Sequence, residues 1–579
     1  MLPNKMSSLS FGFTALLLLN SISQFTVAQS LPQVDLEYEI HQAIAFNQSG
    51  QTYNFSNIRY AQPPVGELRF AAPVPPAGRN PAVQNGSFGP VCPQAAPAWG
   101  LISQAFVTSY LAGNASTFNY TEAELELQQF LAASANTTYK PGPQETEDCL
   151  FLDVIVPKTV FDAANSPRRR RQSGGANVLV WIYGGGYVGG SKASINTGNP
   201  SGLIKASQAN GDPGIIYVAM NYRVGAFGWL SGPTLQSEGG VSNAGLYDQR
   251  LALEWVQKYI HLFGGDPKKV TVMGESAGGG SVEHQIIAYG GQKPVPFSRA
   301  ILQSPGFLPT YSLYLQENTT QSFLKTLNVS SIEEARNASS LAVMAANYEY
   351  VGLAPYGSFR FNPVADGVFI PTVPGVAFLN GAFAKNVTVM AGHNTNEAPG
   401  FSPPFLETDA DFAAYLEQAF PGITTPALNY IIHTLYPLSN YPAPIYRTLA
   451  IVNEAFFQCN TNYVARAYGN RTYNYEFEVP PALHGYDVQY SFYNGQQTNI
   501  TADLFAPVAQ TMQSYLVNFA MTGNPNGPGL PYFPVQGNNA TQMGLNVSIS
   551  ATGVTPNIMV QKDPTANVRC AWWQKGLYL

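Results

Sequence analysis

The chain has 579 residues, of which 45% are hydrophobic and only 11% charged, with a formal net charge of -6. That length buries a large core without cross-links, and the composition is that of a globular protein. An acidic balance without a basic face argues against a nucleic-acid partner, and no segment after the N-terminus holds the roughly eighteen unbroken apolar residues of an integral membrane span.

Lys5 precedes an apolar run over residues 11–19, and small residues then lead to Thr26-Val27-Ala28. This is the layout of a secretory signal peptide over residues 1–28, its apolar stretch being too short for a membrane anchor. It predicts a secreted, extracellular chain over residues 29–579. About fourteen Asn-X-Ser/Thr sequons agree with that compartment, among them Asn47, Asn85, Asn136, Asn328, Asn386, Asn470 and Asn546. Four cysteines, Cys92, Cys149, Cys459 and Cys570, suit two disulfides. Their spacing leaves all three pairings open.

Two stretches read as excursions from one large domain. Residues 93–148, between Cys92 and Cys149, are rich in Ala, Ser and aromatic residues. Residues 165–175 are polar and Gly/Ser-rich and carry Arg168, Arg169, Arg170 and Arg171, which predicts an exposed basic loop. From there the chain alternates. Residues 178–183 and 214–220 are β-rich runs, and Leu246, Leu253, Val256 and Ile260 recur at helical spacing within 246–262. Residues 270–273, 300–302, 387–391 and 473–477 read as further short strands. Strands alternating with helices predict an α/β fold with a large, mostly parallel central sheet flanked by helices.

Gly274-Glu275-Ser276-Ala277-Gly278 directly follows the 270–273 strand and opens a small-residue helix. In a chain with 53 glycines a lone Gly-x-Ser-x-Gly is weak. Its strand-turn-helix setting gives it weight, because a serine on so tight a turn is pushed out of the sheet edge. A serine hydroxyl needs a base, and the base needs a carboxylate to orient it, in the chain order Ser, acid, His. Beyond Ser276 the histidines are His284, His393, His433 and His484. His284 lies in the helix behind the nucleophile, His433 in an apolar helical stretch, and His393 in the loop expected to hold the acid. His484 follows a late strand in Pro481-Ala482-Leu483-His484-Gly485, where the base belongs, and Glu397 in the loop after 387–391 is the acid. Gly184-Gly185-Gly186-Tyr187 follows the 178–183 strand abruptly, so backbone N–H groups there and at Ala277 are placed to meet an oxyanion.

Longer motifs extend the pattern. Arg59-Tyr60-Ala61-Gln62-Pro63-Pro64, Gly66-Glu67-Leu68-Arg69-Phe70, Glu147-Asp148-Cys149-Leu150-Phe151-Leu152-Asp153-Val154, Asn221-Tyr222-Arg223-Val224-Gly225 and Phe263-Gly264-Gly265-Asp266-Pro267 stand in this order. With them the chain resembles the type-B carboxylesterase/lipase family, which includes cholinesterases, fungal lipases and sterol esterases. The resemblance covers nearly the whole mature chain and implies an α/β-hydrolase fold. It implies Ser276 as nucleophile, Glu397 as acid, His484 as base, and Gly185, Gly186 and Ala277 as the oxyanion hole. It also implies the disulfides Cys92–Cys149 and Cys459–Cys570 and a buried ion pair of Arg69 with Glu147. The family usually has Gly after the acid, whereas this chain has Ala398.

The implied reaction is hydrolysis of a hydrophobic carboxylic ester through an acyl-enzyme, with no metal and no cofactor. The substrate is a small-molecule or lipid ester, met in solution or at a lipid interface. The alternative is a non-catalytic binding or adhesion protein on the same fold, against which the presence of all three triad residues weighs. Residues 93–148, with Trp99, Leu101, Ile102, Phe106, Tyr110 and Leu111, resemble the lid of fungal lipases, the other reading being a packed surface loop. The run 168–171 reads either as a protease site or as a plain basic loop.

Overall fold

Val178, Val180 and Ile182 pack into one half of the hydrophobic core, Leu179 and Trp181 into the other, and all five are buried. A strand covered on both faces has to be apolar throughout, which is why this stretch shows no polar alternation. A computed structural model describes residues 31–134, 138–166, 174–194, 198–308, 310–495, 504–551 and 553–579. The expected signal peptide, the arginines 168–171 and the sequon at Asn136 lie outside the described residues.

Among the described residues the central sheet has eleven strands. In chain order they are β1 (Ala45–Asn47), β2 (Thr52–Arg59), β3 (Phe151–Pro157), β4 (Ala176–Ile182), β5 (Ile216–Met220), β6 (Gly265–Glu275), β7 (Arg299–Gln303), β8 (Thr388–Asn394), β9 (Tyr473–Phe477), β10 (Thr541–Ser550) and β11 (Gly553–Lys562). Their spatial order is β11-β10-β9-β8-β7-β6-β4-β5-β3-β2-β1. Every pairing from β10 to β5 is parallel, and the outer pairings are antiparallel. A separate three-stranded sheet is built from Gln33–Asp35, Glu39–Gln42 and Asn80–Gln84.

Helices α1 (Gly100–Leu111) and α2 (Tyr120–Ser134) lie within 93–148, whereas α3 (Ala244–Tyr259), α4 (Ala277–Ile287) and α5 (Ala506–Thr522) pack on the sheet. Leu246, Leu253 and Val256 of α3 and Val282 and Ile286 of α4 join the core half that holds Val178 and Val180. Val508, Met512, Leu516 and Phe519 of α5 join the half that holds Leu179, Trp181 and Met273. Helices thus cover both sheet faces, and the chain has the α/β-hydrolase fold.

The strand ends differ from those expected by a few residues, for reasons outside the local sequence. Strand β6 begins at Gly265 because Gly265 pairs with Ala176 of β4, although the intervening Asp266-Pro267-Lys268-Lys269 is polar. The expected helix over 246–262 stops at Tyr259 and tightens into a 3₁₀ turn, Ile260–Phe263, closed by Gly264 at φ 91°. Strand β8 runs on to Asn394, which pairs with Phe477. His393, expected in the loop, is therefore a buried strand residue.

Within 93–148, the described residues include the helices α1 and α2. Trp99, Ile102 and Phe106 are buried, whereas Leu101 and Leu111 are exposed. Trp99 stacks on Tyr356 at 5.0 Å and donates from Nε1 to the Ser358 carbonyl at 2.9 Å. Cys92 is bonded to Cys149 at the root of this excursion, and Cys459 to Cys570. Beside Cys149, the buried Arg69 forms a two-pronged pair with Glu147 at 2.7 and 2.6 Å. The Nη1 of Arg69 also donates to three carbonyls near residues 335–338. No helix of the described residues is long and apolar enough to cross a membrane.

Candidate active site

The register of the parallel strands decides where the chemistry-bearing residues meet. Ile182 pairs with Gly274, Gln303 with both Glu275 and Gly392, and Asn394 with Phe477. The loops after β4, β6, β7, β8 and β9 therefore open on one sheet edge, the carboxyl ends of the strands, where open α/β sheets bind ligands.

Ser276 occupies the turn between β6 and α4 with φ 57° and ψ -125°, a strained backbone for a residue with a Cβ. It is held there by its N–H to the Gln303 carbonyl at 3.0 Å, while its own carbonyl accepts from Gly280 and Gly306. The flanking glycines are demanded by crowding. A Cβ at Gly278 would lie 2.1 Å from the Ile182 carbonyl oxygen, and one at Gly274 would lie 2.4 Å from that of Gly278.

His484 Nε2 lies 2.7 Å from Ser276 Oγ, and His484 Nδ1 lies 2.5 Å from Glu397 Oε2. The three residues the sequence singled out, separated by up to 208 positions, are thus in one hydrogen-bonded line. Glu397 is fully buried. Its second oxygen accepts from the Asn394 N–H at 2.5 Å and from Ser304 Oγ at 2.7 Å. Ala398, where the family usually has Gly, lies outside the left-handed region. Its methyl packs fully buried in the core and its N–H reaches Asn453 Oδ1 at 2.7 Å, so glycine is not required. The imidazole of His484 sits against Phe457 and Phe401, at centroid distances of 4.5 and 5.1 Å.

Several residues of this constellation carried no signal of their own. Glu275 Oε1 lies 3.4 Å from His484 Nε2. Burial pushes its carboxyl up to about 8, against the counteracting charge of His484. Burial by itself would lower His484, but the neighbouring carboxylates, Glu275 and Glu397 foremost, raise it above its ordinary value. Behind the line, Asp487 accepts from Tyr475 Oη at 2.9 Å, from Gln303 Nε2 at 3.0 Å and from Asn394 Nδ2 at 3.1 Å. Asn394 Nδ2 also donates to Ser304 Oγ at 3.1 Å. This network ties the ends of β7, β8 and β9 to the loop of the histidine. Ser304, Asn394 and Asp487 are recognisable only once the strand ends are aligned, although Asp487 stands just three residues after His484.

Gly185 (φ 116°) and Gly186 (φ 61°) turn sharply after β4. Gly185, Gly186 and Ala277 line the same cavity as Ser276 and His484, and among the described residues their N–H groups donate to none of the surrounding turn hydrogen bonds. Ala277 opens α4, whose N-terminus carries a partial positive charge. The cavity has a volume of about 470 Å³, and Phe307, Leu308, Phe359, Phe401, Phe456 and Phe457 make much of its wall apolar. From the excursion, residues 94–97 reach this wall. The other histidines lie elsewhere. His284 is buried with Nδ1 against the Gly280 carbonyl at 2.6 Å, burial lowering it to about 4, and His433 is exposed at the surface.

Residues 42–568 match the carboxylesterase family. The chain is 42% identical over 561 residues to the carboxylesterase patB of Penicillium expansum, covering 95% of this chain and 96% of that protein. It is 31% identical over 451 residues to a secreted lipase of Arthroderma benhamiae, covering 74% of this chain and 83% of that one. Among solved structures, Aspergillus niger EstA superposes with a TM-score of 0.74 at 26% identity, covering 94% of this chain and 98% of that one.

Proposed function

Since the chain belongs to the carboxylesterase family and is a carboxylic ester hydrolase, we propose that it is a secreted serine esterase that cleaves hydrophobic esters through an acyl-enzyme on Ser276. The observation that carries this reading is the line Ser276 Oγ, His484, Glu397 at 2.7 and 2.5 Å.

His484 takes the Ser276 proton as Oγ attacks the ester carbonyl. The carbonyl oxygen, now negative, receives the N–H groups of Gly185, Gly186 and Ala277, each such donor being worth about 3 kcal/mol in the transition state. His484 then passes its proton to the leaving alcohol. Water, deprotonated by the same imidazole, attacks the acyl-enzyme and releases the acid. Glu397 holds Nδ1 protonated and stabilises the imidazolium, and Ser304 and Asn394 keep that carboxylate in place.

The aromatic wall of the cavity favours a hydrophobic group on the reacting ester. The stretch 93–148 acts as a flap at the rim, with residues 94–97 as its inner edge. Secretion is supported by the N-terminal layout, the sequons, the two disulfides and the likeness to a secreted lipase.

The test is hydrolysis of p-nitrophenyl esters from acetate to palmitate by the wild type and Ser276→Ala. The variant should lose about 10⁶-fold in kcat, the cost of removing a serine nucleophile, and the wild type should prefer the longer acyl chains. A Ser276→Ala variant as active as the wild type refutes the mechanism. A preference for acetate refutes the hydrophobic-ester reading and leaves the nucleophile standing.

A further inference from the structure

The loop that carries Gly185 and Gly186, residues 184–190, reads Gly-Gly-Gly-Tyr-Val-Gly-Gly. Gly185, Gly186, Tyr187 and Gly190 all have positive φ, at 116°, 61°, 62° and 103°. For Tyr187, which has a Cβ and a ring, that backbone is strained, and strain of this kind persists only where the surroundings dictate it. Inside the loop, the Gly185 carbonyl accepts from the Val188 and Gly189 N–H groups at 3.2 and 3.0 Å. That carbonyl and the Gly186 N–H belong to one planar trans peptide and point in opposite directions, so whatever aims the first also aims the second.

Other partners reach the loop from outside. The Tyr187 carbonyl accepts from the Gly225 N–H at 2.8 Å, and its Oη donates to the Gly306 carbonyl at 3.1 Å. From the excursion, the Ala95 N–H donates to the Val188 carbonyl at 2.9 Å. Next to it, the Gln94 side chain meets both backbone groups of Gly190. Its Nε2 donates to the Gly190 carbonyl at 2.9 Å, and its Oε1 accepts the Gly190 N–H at 3.1 Å. A primary amide carries a donor and an acceptor side by side, which is what a single backbone residue can pair with. Gln94 itself stands on a fixed base. Cys92 is bonded to Cys149, and Asn221 Nδ2 donates to the Pro90 and Cys149 carbonyls at 2.8 and 3.2 Å. The chain just past the loop is held separately: the Lys192 N–H goes to Asn221 Oδ1 at 3.0 Å and Lys192 Nζ to Asp153 at 2.7 and 2.8 Å.

We propose that Gln94 is a positioning residue for the reaction: its amide clamps Gly190 and, through the neighbouring Gly189 and Val188 N–H groups on the Gly185 carbonyl, sets the aim of the peptide whose N–H receives the oxyanion. This rests on the hydrolase reading above and extends it from the groups that meet the substrate to the one that holds them. Gln94 lines the catalytic cavity, but its amide is engaged at both ends by Gly190, so it acts through the loop and not on the ester.

The experiment measures kcat and KM separately on a p-nitrophenyl ester for the wild type, Gln94→Met and Gln94→Glu, with the melting temperature read beside them. Gln94→Met keeps the length of the side chain and removes both hydrogen bonds. Gln94→Glu keeps the acceptor for the Gly190 N–H and sets a second oxygen against the Gly190 carbonyl, and it carries the test if Gln94→Met fails to fold. Losing an interaction made only in the transition state lowers kcat and spares KM, and misplacing a catalytic group by about 1 Å costs up to about 10²-fold. In both variants kcat should therefore fall by about tenfold to hundredfold while KM stays within about twofold. A pair of inhibitors of equal chain length supplies the second readout: a trifluoromethyl ketone, to which Ser276 adds to form an oxyanion, and the plain methyl ketone. The first should weaken by about the same factor as kcat, and the second should not. A folded variant with kcat within about twofold of the wild type overturns the proposal. So does a raised KM at unchanged kcat, which makes Gln94 plain cavity wall, and so does an equal weakening of both ketones, which makes it a general support. A wild type inactive on every ester overturns the hydrolase reading itself, and this proposal with it.

Discussion

Replacing Glu397 by Gln preserves the shape of the side chain and should nevertheless silence the enzyme. Glu397 Oε1 receives the Asn394 backbone N–H at 2.5 Å, a donor that cannot rotate away, and Ser304 Oγ at 2.7 Å. In Glu397→Gln the amide oxygen must therefore take the Oε1 position. That leaves the NH₂ facing His484 Nδ1, where the carboxylate oxygen stood at 2.5 Å. Two N–H groups cannot face each other, so Nδ1 becomes the acceptor and the single imidazole proton moves to Nε2, against Ser276 Oγ. The base is then lost in its resting state. The expected loss in kcat is about 10⁴-fold, the scale seen when a triad carboxylate becomes an amide. At about 1.36 kcal/mol per decade that is close to 5.4 kcal/mol of transition-state stabilisation. Release of p-nitrophenol, read alongside the melting temperature, measures it. A loss below tenfold in a folded variant refutes the tautomer argument and the assignment of Glu397 as the acid.

The pH profile follows from the same charges. The carboxylates beside His484 raise it above its ordinary value of 6.5, and only the neutral imidazole can accept the serine proton, so the acid limb of kcat/KM should lie above 6.5. Glu283 gives a stability prediction. It is fully buried on α4 with both oxygens unpartnered, and burial holds its carboxyl well above the usual 4.5. The folded chain therefore keeps a proton that the unfolded chain releases, so stability is full below pH 4.5 and falls as pH rises through the raised folded value. Glu283→Gln should raise the melting temperature at pH 7 and leave it unchanged at pH 4; equal shifts at both values would show that packing, not the proton, is responsible.

The local signals in this sequence were those whose physics is local. A serine on a strand-to-helix turn is legible because the crowding around Gly274 and Gly278 admits only glycine, and the crowding comes from the turn itself and the adjoining strand. The apolar runs of β4 and β5 are legible because both of their faces are buried. Ser276, Glu397 and His484 could be named in order because each follows its own strand. What escaped was everything set by partners distant in the chain. The start of β6 at Gly265 depends on Ala176, and the burial of His393 depends on β8 continuing as far as the partner of Phe477. Glu275 stood in the motif, but its raised carboxyl needs the surrounding burial, and Ser304, Asn394 and Asp487 joined the site only when four strands ended level. The stretch 93–148 showed its aromatics but not that Trp99 docks on Tyr356, more than two hundred residues away. Side-chain type and local turn chemistry are written along the chain; burial and register, which fix the charge state and the aim of each group, arise only from the packed sheet.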